Sequence, residues 1–193
     1  MKLYGRTIVL TGATSGIGRA IADRLSGSNR IIAIGRSSPR SNALTDAHPG
    51  LTFVDADLAI VEEVEKASLA VLQHPNISGL INCAAIQNTP RLLDPGFDLA
   101  VMHREIAINF GAVCHLIARL LPILMKQPDS FILNVNSGLA LVPKTNSAVY
   151  CATKGALNIF SQALRQTWPL VSGAPAGVEL GPTKPNIPGR TVP

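Results

Sequence analysis

Thr7-Ile8-Val9-Leu10-Thr11-Gly12-Ala13-Thr14-Ser15-Gly16-Ile17-Gly18 is the stretch that decides the fold. Its first five residues are an apolar run bounded by a glycine, the pattern of a buried strand. Three glycines then follow as Gly-x-x-x-Gly-x-Gly, and Ile17–Leu25 reads as a helix. A strand that passes through a glycine turn into a helix lets backbone approach an anionic group closely. The helix N-terminus adds free N–H groups and a partial positive charge. Glycine spacing alone is a weak signal, and the strand before and the helix after it make it a strong one.

The alternation continues along the chain. Arg30–Ile34, Leu51–Val54, Gly79–Asn82 and Ser130–Val135 read as further strands. Ile60–Leu72 reads as a helix with Val64, Ala67 and Val71 on one face, and Leu99–Met125 as a long helix. In the long helix Met102, Ile106, Phe110, Val113, Ile117 and Leu124 recur at helical spacing. Ser147–Thr167 is the last helix, ended by Pro169. Continuous apolar strands separated by helices imply a parallel sheet covered on both faces. The fold class expected is therefore α/β, a three-layer doubly wound parallel sheet with its site at the carboxyl ends of the strands.

Composition sets the limits. Of 193 residues, 47% are apolar and 15% charged, so most of the chain is globular rather than disordered. The expected division is one domain over residues 1–167 and a Pro/Gly-rich tail over 168–193. The tail carries Pro169, Pro175, Pro182, Pro185, Pro188 and Pro193, with a short strand at Ala176–Leu180. The net charge of +5 is spread along the chain without a basic run, and aromatics are only 4%, which argues against nucleic acid. Cys83, Cys114 and Cys151 are odd in number and widely spaced, and His48, His74, His103 and His115 lack ligand spacing, so no metal is expected. The apolar stretch at the N-terminus is too short for a signal peptide. Leu116–Met125 is broken by Arg119 and Pro122 and falls short of the roughly 20 residues of a membrane span. The expected setting is the cytoplasm, without a membrane.

The glycine spacing resembles the cofactor loop of the classical short-chain dehydrogenases/reductases, and further matches follow in that family's order. They are Asp57-Leu58 after the third strand, Asn82-Cys83-Ala84-Ala85 after the fourth, Asn109 in the long helix, Ser137 after the fifth strand, and Tyr150-Cys151-Ala152-Thr153-Lys154. Cys83 and Ala85 depart from the family's Asn-Asn-Ala-Gly. The resemblance implies an NAD(P)-dependent oxidoreductase acting between a carbonyl and an alcohol. It gives Tyr150 as acid/base, Ser137 as partner of the reacting oxygen, Lys154 on the nicotinamide ribose and Asn109 on a relay water. It implies cofactor contacts from Gly12, Thr14, Ser15, Gly16, Ile17, Gly18, Arg36, Asp57, Leu58, Asn82 and Ala84, with Tyr150 and Lys154. It also implies a homo-oligomer paired through the two long helices.

Residue chemistry agrees with several of these roles. Tyr150 and Lys154 stand four apart and share a helix face. A nearby ammonium is expected to lower the phenol's pKa and make it a usable base. No Asp or Glu lies between Asp23 and Asp46, where NAD-binding proteins place the acid that holds the ribose. Arg36, with Ser37 and Arg40, can instead meet a 2′-phosphate, so NADP is favoured over NAD. The C-terminal strands and substrate lobe of the family are expected to be shortened or missing, leaving the fifth strand as a sheet edge. A truncated, catalytically weak nucleotide-binding protein is the alternative. A sugar-nucleotide epimerase is disfavoured by the glycine spacing.

Overall fold

The computed structural model describes residues 3–89, 91–172 and 178–180. Its centre is a parallel sheet of β1 (Thr7–Thr11), β2 (Arg30–Gly35), β3 (Thr52–Asp55), β4 (Ile77–Asn82), β5 (Phe131–Asn134) and β6 (Val178–Leu180). The strand order is β3-β2-β1-β4-β5-β6. The chain therefore runs outward from β1 in one direction, returns, and runs outward in the other. The crevice at this switch point is where such sheets bind ligands.

Side chains alternate across the sheet and feed two separate cores. Ile8, Leu10, Ile31, Ala33 and Ile81 point to the face covered by α1 (Gly16–Leu25) and α2 (Pro39–Ala47), where they meet Ala22 and Leu44. Val9, Ile32, Ile34, Leu80 and Ile132 point to the other face. There they pack on α3 (Val61–Leu72), α5 (Ala112–Leu124) and α6 (Ala148–Ser172) through Val64, Val71, Leu116, Leu120 and Leu157. Hydrogen bonds between side chains tie neighbouring helices on each face. His48 at the end of α2 meets Asp23 of α1 at 2.7 Å, and His115 of α5 meets Glu65 of α3 at 2.7 Å.

Several elements differ from the sequence expectation. α2 was not foreseen, because its nine residues bury only Ser41 and Leu44 and carry little apolar periodicity. Its start is fixed instead by a capping box, in which Ser38 and Ser41 exchange side-chain and backbone hydrogen bonds around Pro39. The third strand lies one residue later than expected. The long helix is three pieces in series: α4 (Leu99–Ile106), a wide π turn (Ala107–Gly111) and α5. Leu99–Leu124 is long and apolar enough to cross a membrane by length and composition. Its apolar face is nonetheless part of the core, with Leu116, Leu120 and Leu124 buried.

The last helix passes Pro169 and runs to Ser172. A proline removes one backbone donor and does not oblige a helix to stop, as Pro122 inside α5 also illustrates. Beyond it, β6 pairs with β5 from Ile132↔Val178 to Asn134↔Leu180. The fifth strand is therefore covered rather than a sheet edge. Of the strand expected at 176–180, residues 178–180 form it, and the remainder lies outside the described residues.

One row across the sheet is set by a glycine. Gly79 stands between Ile8 of β1 and Phe131 of β5. A Cβ there would lie 2.5 Å from the Phe131 ring and 3.2 Å from Ile8, so the ring occupies the space a side chain would need. Phe131 is itself buried and cannot swing out. Gly79→Ala should destabilise the fold by about 1–3 kcal/mol, read as a lower denaturant midpoint with an unchanged slope.

Candidate active site

A cleft of about 440 Å³ opens at the carboxyl ends of the strands. The ends of β1 to β5 each contribute one part of its wall: Gly12 after β1, Arg36 after β2, Asp57 after β3, Ala84 after β4 and Ser137 after β5. Tyr150 and Lys154 reach it from α6.

The floor is the glycine turn. Gly12 adopts a φ of +74°, and a Cβ there would lie 2.8 Å from the Ala84 backbone. Gly16 has a φ of +54°. At Gly18 a Cβ would collide with the Gly12 carbonyl, so the first turn of α1 packs directly on the end of β1. Thr11 secures this junction, its hydroxyl accepting the Cys83 and Ala84 N–H groups, each at 3.1 Å. Ser15 is the N-cap of α1 but makes no side-chain cap, and the first turn holds no acid. The leading N–H groups of that helix therefore face the cleft without a side-chain acceptor from Ser15. Thr14, Ser15, Gly16, Ile17 and Gly18 all line it. A diphosphate-bearing group fits this cradle in shape and in charge.

The far wall carries Ser137, Tyr150 and Lys154. The Ser137 hydroxyl interacts with the Tyr150 phenol and accepts the Leu139 N–H at 3.2 Å. Lys154 is 4% exposed and donates to the Val135 carbonyl at 2.9 Å, with its Nζ 5.8 Å from the centre of the Tyr150 ring. The expected lowering of the phenol's pKa by this ammonium is not found. Burial pushes the Tyr150 phenol up, the Ser137 bond opposes it, and the nearby Cys151 and Glu105 push it further up. Burial also pushes the Lys154 ammonium down, against the Cys83 thiol beside it. The physical reason is desolvation, which raises an acid's pKa and lowers a base's.

The remaining expected residues divide into two groups. Arg36, Asp57, Leu58 and Ala84 line the cleft, as do Cys83 and Ala85. Ser37 and Arg40 stand outside its wall, and the Ser37 N–H is taken by the Asp55 carboxylate at 2.6 Å. Asn82 and Asn109 are buried behind the wall. Asn82 donates to the Asn134 side chain at 2.8 Å, which in turn donates to Ser161 at 2.9 Å, forming a polar chain from β4 through β5 to α6. Asn109 sits in the π turn. It donates to the Ile86 carbonyl at 2.8 Å and accepts the Ile86 N–H at 2.9 Å, fixing the segment after β4 from both sides. A π turn at a functional position is a recurrent device.

Three residues were not singled out by the sequence reading. Arg104 of α4 lays one guanidinium nitrogen on both Asp57 oxygens, at 2.9 and 2.7 Å. Thr153 of α6 supports Asn109 at 3.2 Å. Glu105 is 2% exposed and holds Asn88. The signal for Glu105 was a lone acid four residues before Asn109, on the same helix face.

A parallel sheet of this strand order with a glycine-floored cleft at its switch point defines the nucleotide-binding α/β class. The comparisons narrow that class. The family model for short chain dehydrogenase matches residues 6–181, and the chain belongs to that family. It is 38% identical over 167 residues to the uncharacterized oxidoreductase DltE of Bacillus subtilis, covering 86% of this chain and 66% of that protein. It is 30% identical over 188 residues to L-xylulose reductase of Bos taurus, covering 95% of this chain and 69% of that one. The chain thus spans about two thirds of the length of these relatives. Among solved structures, a short-chain dehydrogenase/reductase of Brucella melitensis described as a glucose/ribitol dehydrogenase superposes with a TM-score of 0.81 at 30% identity, covering 94% of this chain and 76% of that one. The 3-ketoacyl-(acyl-carrier-protein) reductase of the same organism, complexed with NADH, gives 0.82 at 25% identity, covering 93% and 75%.

The Asp57–Arg104 pair gives a pH-dependent stability term. Burial pushes the Asp57 carboxyl up, but the Ala59 N–H, Arg104 and Arg36 outweigh it and hold the group below its ordinary value. A carboxyl lowered on folding contributes stability above its unfolded pKa of about 4, and that contribution is lost as pH falls through the folded value. Asp57→Asn should therefore lower the melting temperature at pH 7 more than at pH 3, a narrowing gap that melts across that range will show.

Proposed function

We propose that this chain transfers a hydride between a nicotinamide cofactor and a carbonyl or alcohol substrate, with Tyr150 exchanging the proton. The observation that carries this reading is the convergence of Ser137, Tyr150 and Lys154 on one wall of a cleft whose floor is the glycine turn. The cofactor, when bound, supplies or accepts the hydride. Gly12, Gly16 and Gly18 keep the floor open for its diphosphate, and the first turn of α1 receives the negative charge. Asp57 and Leu58 hold the adenine end, and Asn82 and Ala84 shape the wall after β4. Lys154 holds the nicotinamide ribose. Tyr150 donates its phenolic proton to a carbonyl oxygen, or takes one from an alcohol, and Ser137 bonds that oxygen as charge develops. Burial, which raises the phenol's pKa, suits Tyr150 to donating that proton. Asn109 holds the Ile86 segment and with it the place of a relay water.

We assign NADP rather than NAD. Arg36 projects from the end of β2 on the cleft wall, and an exposed guanidinium there matches a 2′-phosphate. All these contacts lie within residues 1–167, the proposed catalytic domain, with 168–193 as its tail. We further propose a cytoplasmic homo-oligomer paired through the long helices of residues 99–125 and 147–167, where Leu99 and Ile159 are exposed.

Turnover of a panel of simple carbonyls with NADPH tests the function. Tyr150→Phe should reduce kcat by about 10²–10⁴-fold while retaining the rise in melting temperature that NADPH gives the wild type. Equal turnover in both proteins would overturn the role of Tyr150. An NADPH-induced shift with no turnover in either would leave a nucleotide-binding protein. Arg36→Ala should weaken NADPH binding about 10- to 100-fold and leave NADH binding nearly unchanged, measured by titration calorimetry.

A further inference from the structure

Every polar atom of Asp57 has a partner. Its backbone N–H donates to Glu63 at 2.6 Å, and its carbonyl accepts the Ile60 N–H at 3.0 Å. Its carboxylate Oδ1 accepts the Ala59 N–H at 2.9 Å. These three partners come from the turn that follows Asp57 itself. The fourth is distant in sequence: Arg104, in the last turn of α4, places one guanidinium nitrogen 2.9 Å from Oδ1 and 2.7 Å from Oδ2.

The count of acceptor sites is informative. A carboxylate offers about four, two on each oxygen. Oδ1 uses both of its own, on Ala59 and Arg104, and Oδ2 uses one. One site on Oδ2 is left, on a side chain that is 18% exposed and lines the cleft. Its place in the cleft says which part of a ligand it meets. Asp57 follows β3 and Ser137 follows β5, four strand spacings apart in the order β3-β2-β1-β4-β5, or roughly 19 Å. The free acceptor thus lies at the end of the cleft away from Ser137 and Tyr150.

Arg104 contributes orientation. The Ala59 N–H holds one oxygen only, and a carboxylate held at one oxygen can still pivot. A guanidinium nitrogen spanning both oxygens fixes the plane of the group and with it the direction of the remaining site. We propose that Arg104 is a positioning residue for the nucleotide end of the cofactor, fixing the Asp57 carboxylate so that its free Oδ2 site receives the exocyclic amine of the adenine. This rests on the reading that Asp57 holds the adenine end. The amine of adenine is a donor, whereas hypoxanthine carries a carbonyl in its place, which a carboxylate repels. A carboxylate already fixed in direction discriminates between the two more sharply than one that must be ordered on binding. An Arg104 that served only as a strut between α4 and the end of β3 would, when lost, weaken both ligands by the same factor.

Titration calorimetry of the full chain with NADPH and with its hypoxanthine analogue, deamino-NADPH, measures this. The readout is the ratio of the two dissociation constants, which a general loosening of the fold does not move. The wild type should prefer the adenine form by about 10-fold or more, the size of a hydrogen bond to a charged group. Arg104→Met keeps an unbranched apolar stem without charge or donors, and should shrink the preference to within about 3-fold. Asp57→Ala removes the acceptor and should abolish it. Melting curves establish that each variant is folded at the temperature of titration, and Arg104→Gln, for which the same reduction is expected, replaces Arg104→Met if that variant is not.

A preference unchanged or increased in the folded Arg104 variant overturns the proposal. If Asp57→Ala loses the preference in that case, Asp57 still reads the adenine and the role of Arg104 alone falls. If the wild type binds neither ligand or shows no preference, or if Asp57→Ala retains it, the adenine reading of Asp57 falls and the proposal falls with it.

Discussion

The contact on which the site depends is between two pieces of backbone. Gly12 leaves the end of β1 so close to Ala84, at the end of β4, that no side chain fits between them. The Thr11 hydroxyl closes the same gap by accepting two N–H groups from the β4 end. β1 and β4 are the strands between which the chain reverses its direction of travel across the sheet. Holding their ends together brings the glycine turn and the 83–88 segment onto one cleft. α1 then starts on the floor, pressed against Gly12 through Gly18. From the other side α6 delivers Tyr150 and Lys154 to the wall that β5 begins with Ser137.

The two halves of the cleft are built from opposite materials. The glycine half is bare backbone, with N–H groups facing open space and no acid in the first turn of α1. The half that carries Ser137, Tyr150 and Lys154 is side-chain chemistry under desolvation. There burial raises a phenol and lowers an ammonium, and carboxylates are held either by an arginine, as at Asp57, or by amides alone, as at Glu105. The first arrangement receives fixed negative charge. The second disfavours the charged form of both the phenol and the amine through burial.

What the sequence revealed follows from how local each feature is. The glycine turn and the five central strands were legible because their geometry is encoded within a few neighbouring residues, and the Ser137, Tyr150 and Lys154 set through its order in the family resemblance. α2 was hidden because a helix that buries only Ser41 and Leu44 has almost no apolar stripe, and its start is written in Ser38 and Ser41 instead. The long helix showed apolar residues at regular steps, yet in α4 the buried residue is Glu105 while Ile106 is exposed. That helix end faces the polar site rather than the core. The Asp57–Arg104 and Asn88–Glu105 pairs could not be read at all, since they join residues 47 and 17 positions apart whose meeting depends on the sheet. The pKa of Tyr150 was misjudged for a related reason. Proximity of Lys154 was visible in the spacing, whereas desolvation belongs to the folded interior.

The π turn at 107–111 has a consequence for how this protein can vary. An α-helix advances about 100° per residue, so one residue more or less rotates everything beyond it. Here the wide turn absorbs such a rotation between two parts with separate obligations. Downstream, Val113, Leu116 and Leu120 must face the sheet; upstream, Glu105 must face the 86–88 segment, and Asn109 within the turn must face Ile86. The helix behaves like two rods joined by a fixed phase slip rather than one continuous shaft. Single-residue insertions or deletions on either side of the slip would break one obligation while sparing the other. The length of the segment from Glu105 to Val113 is therefore among the least negotiable in the chain.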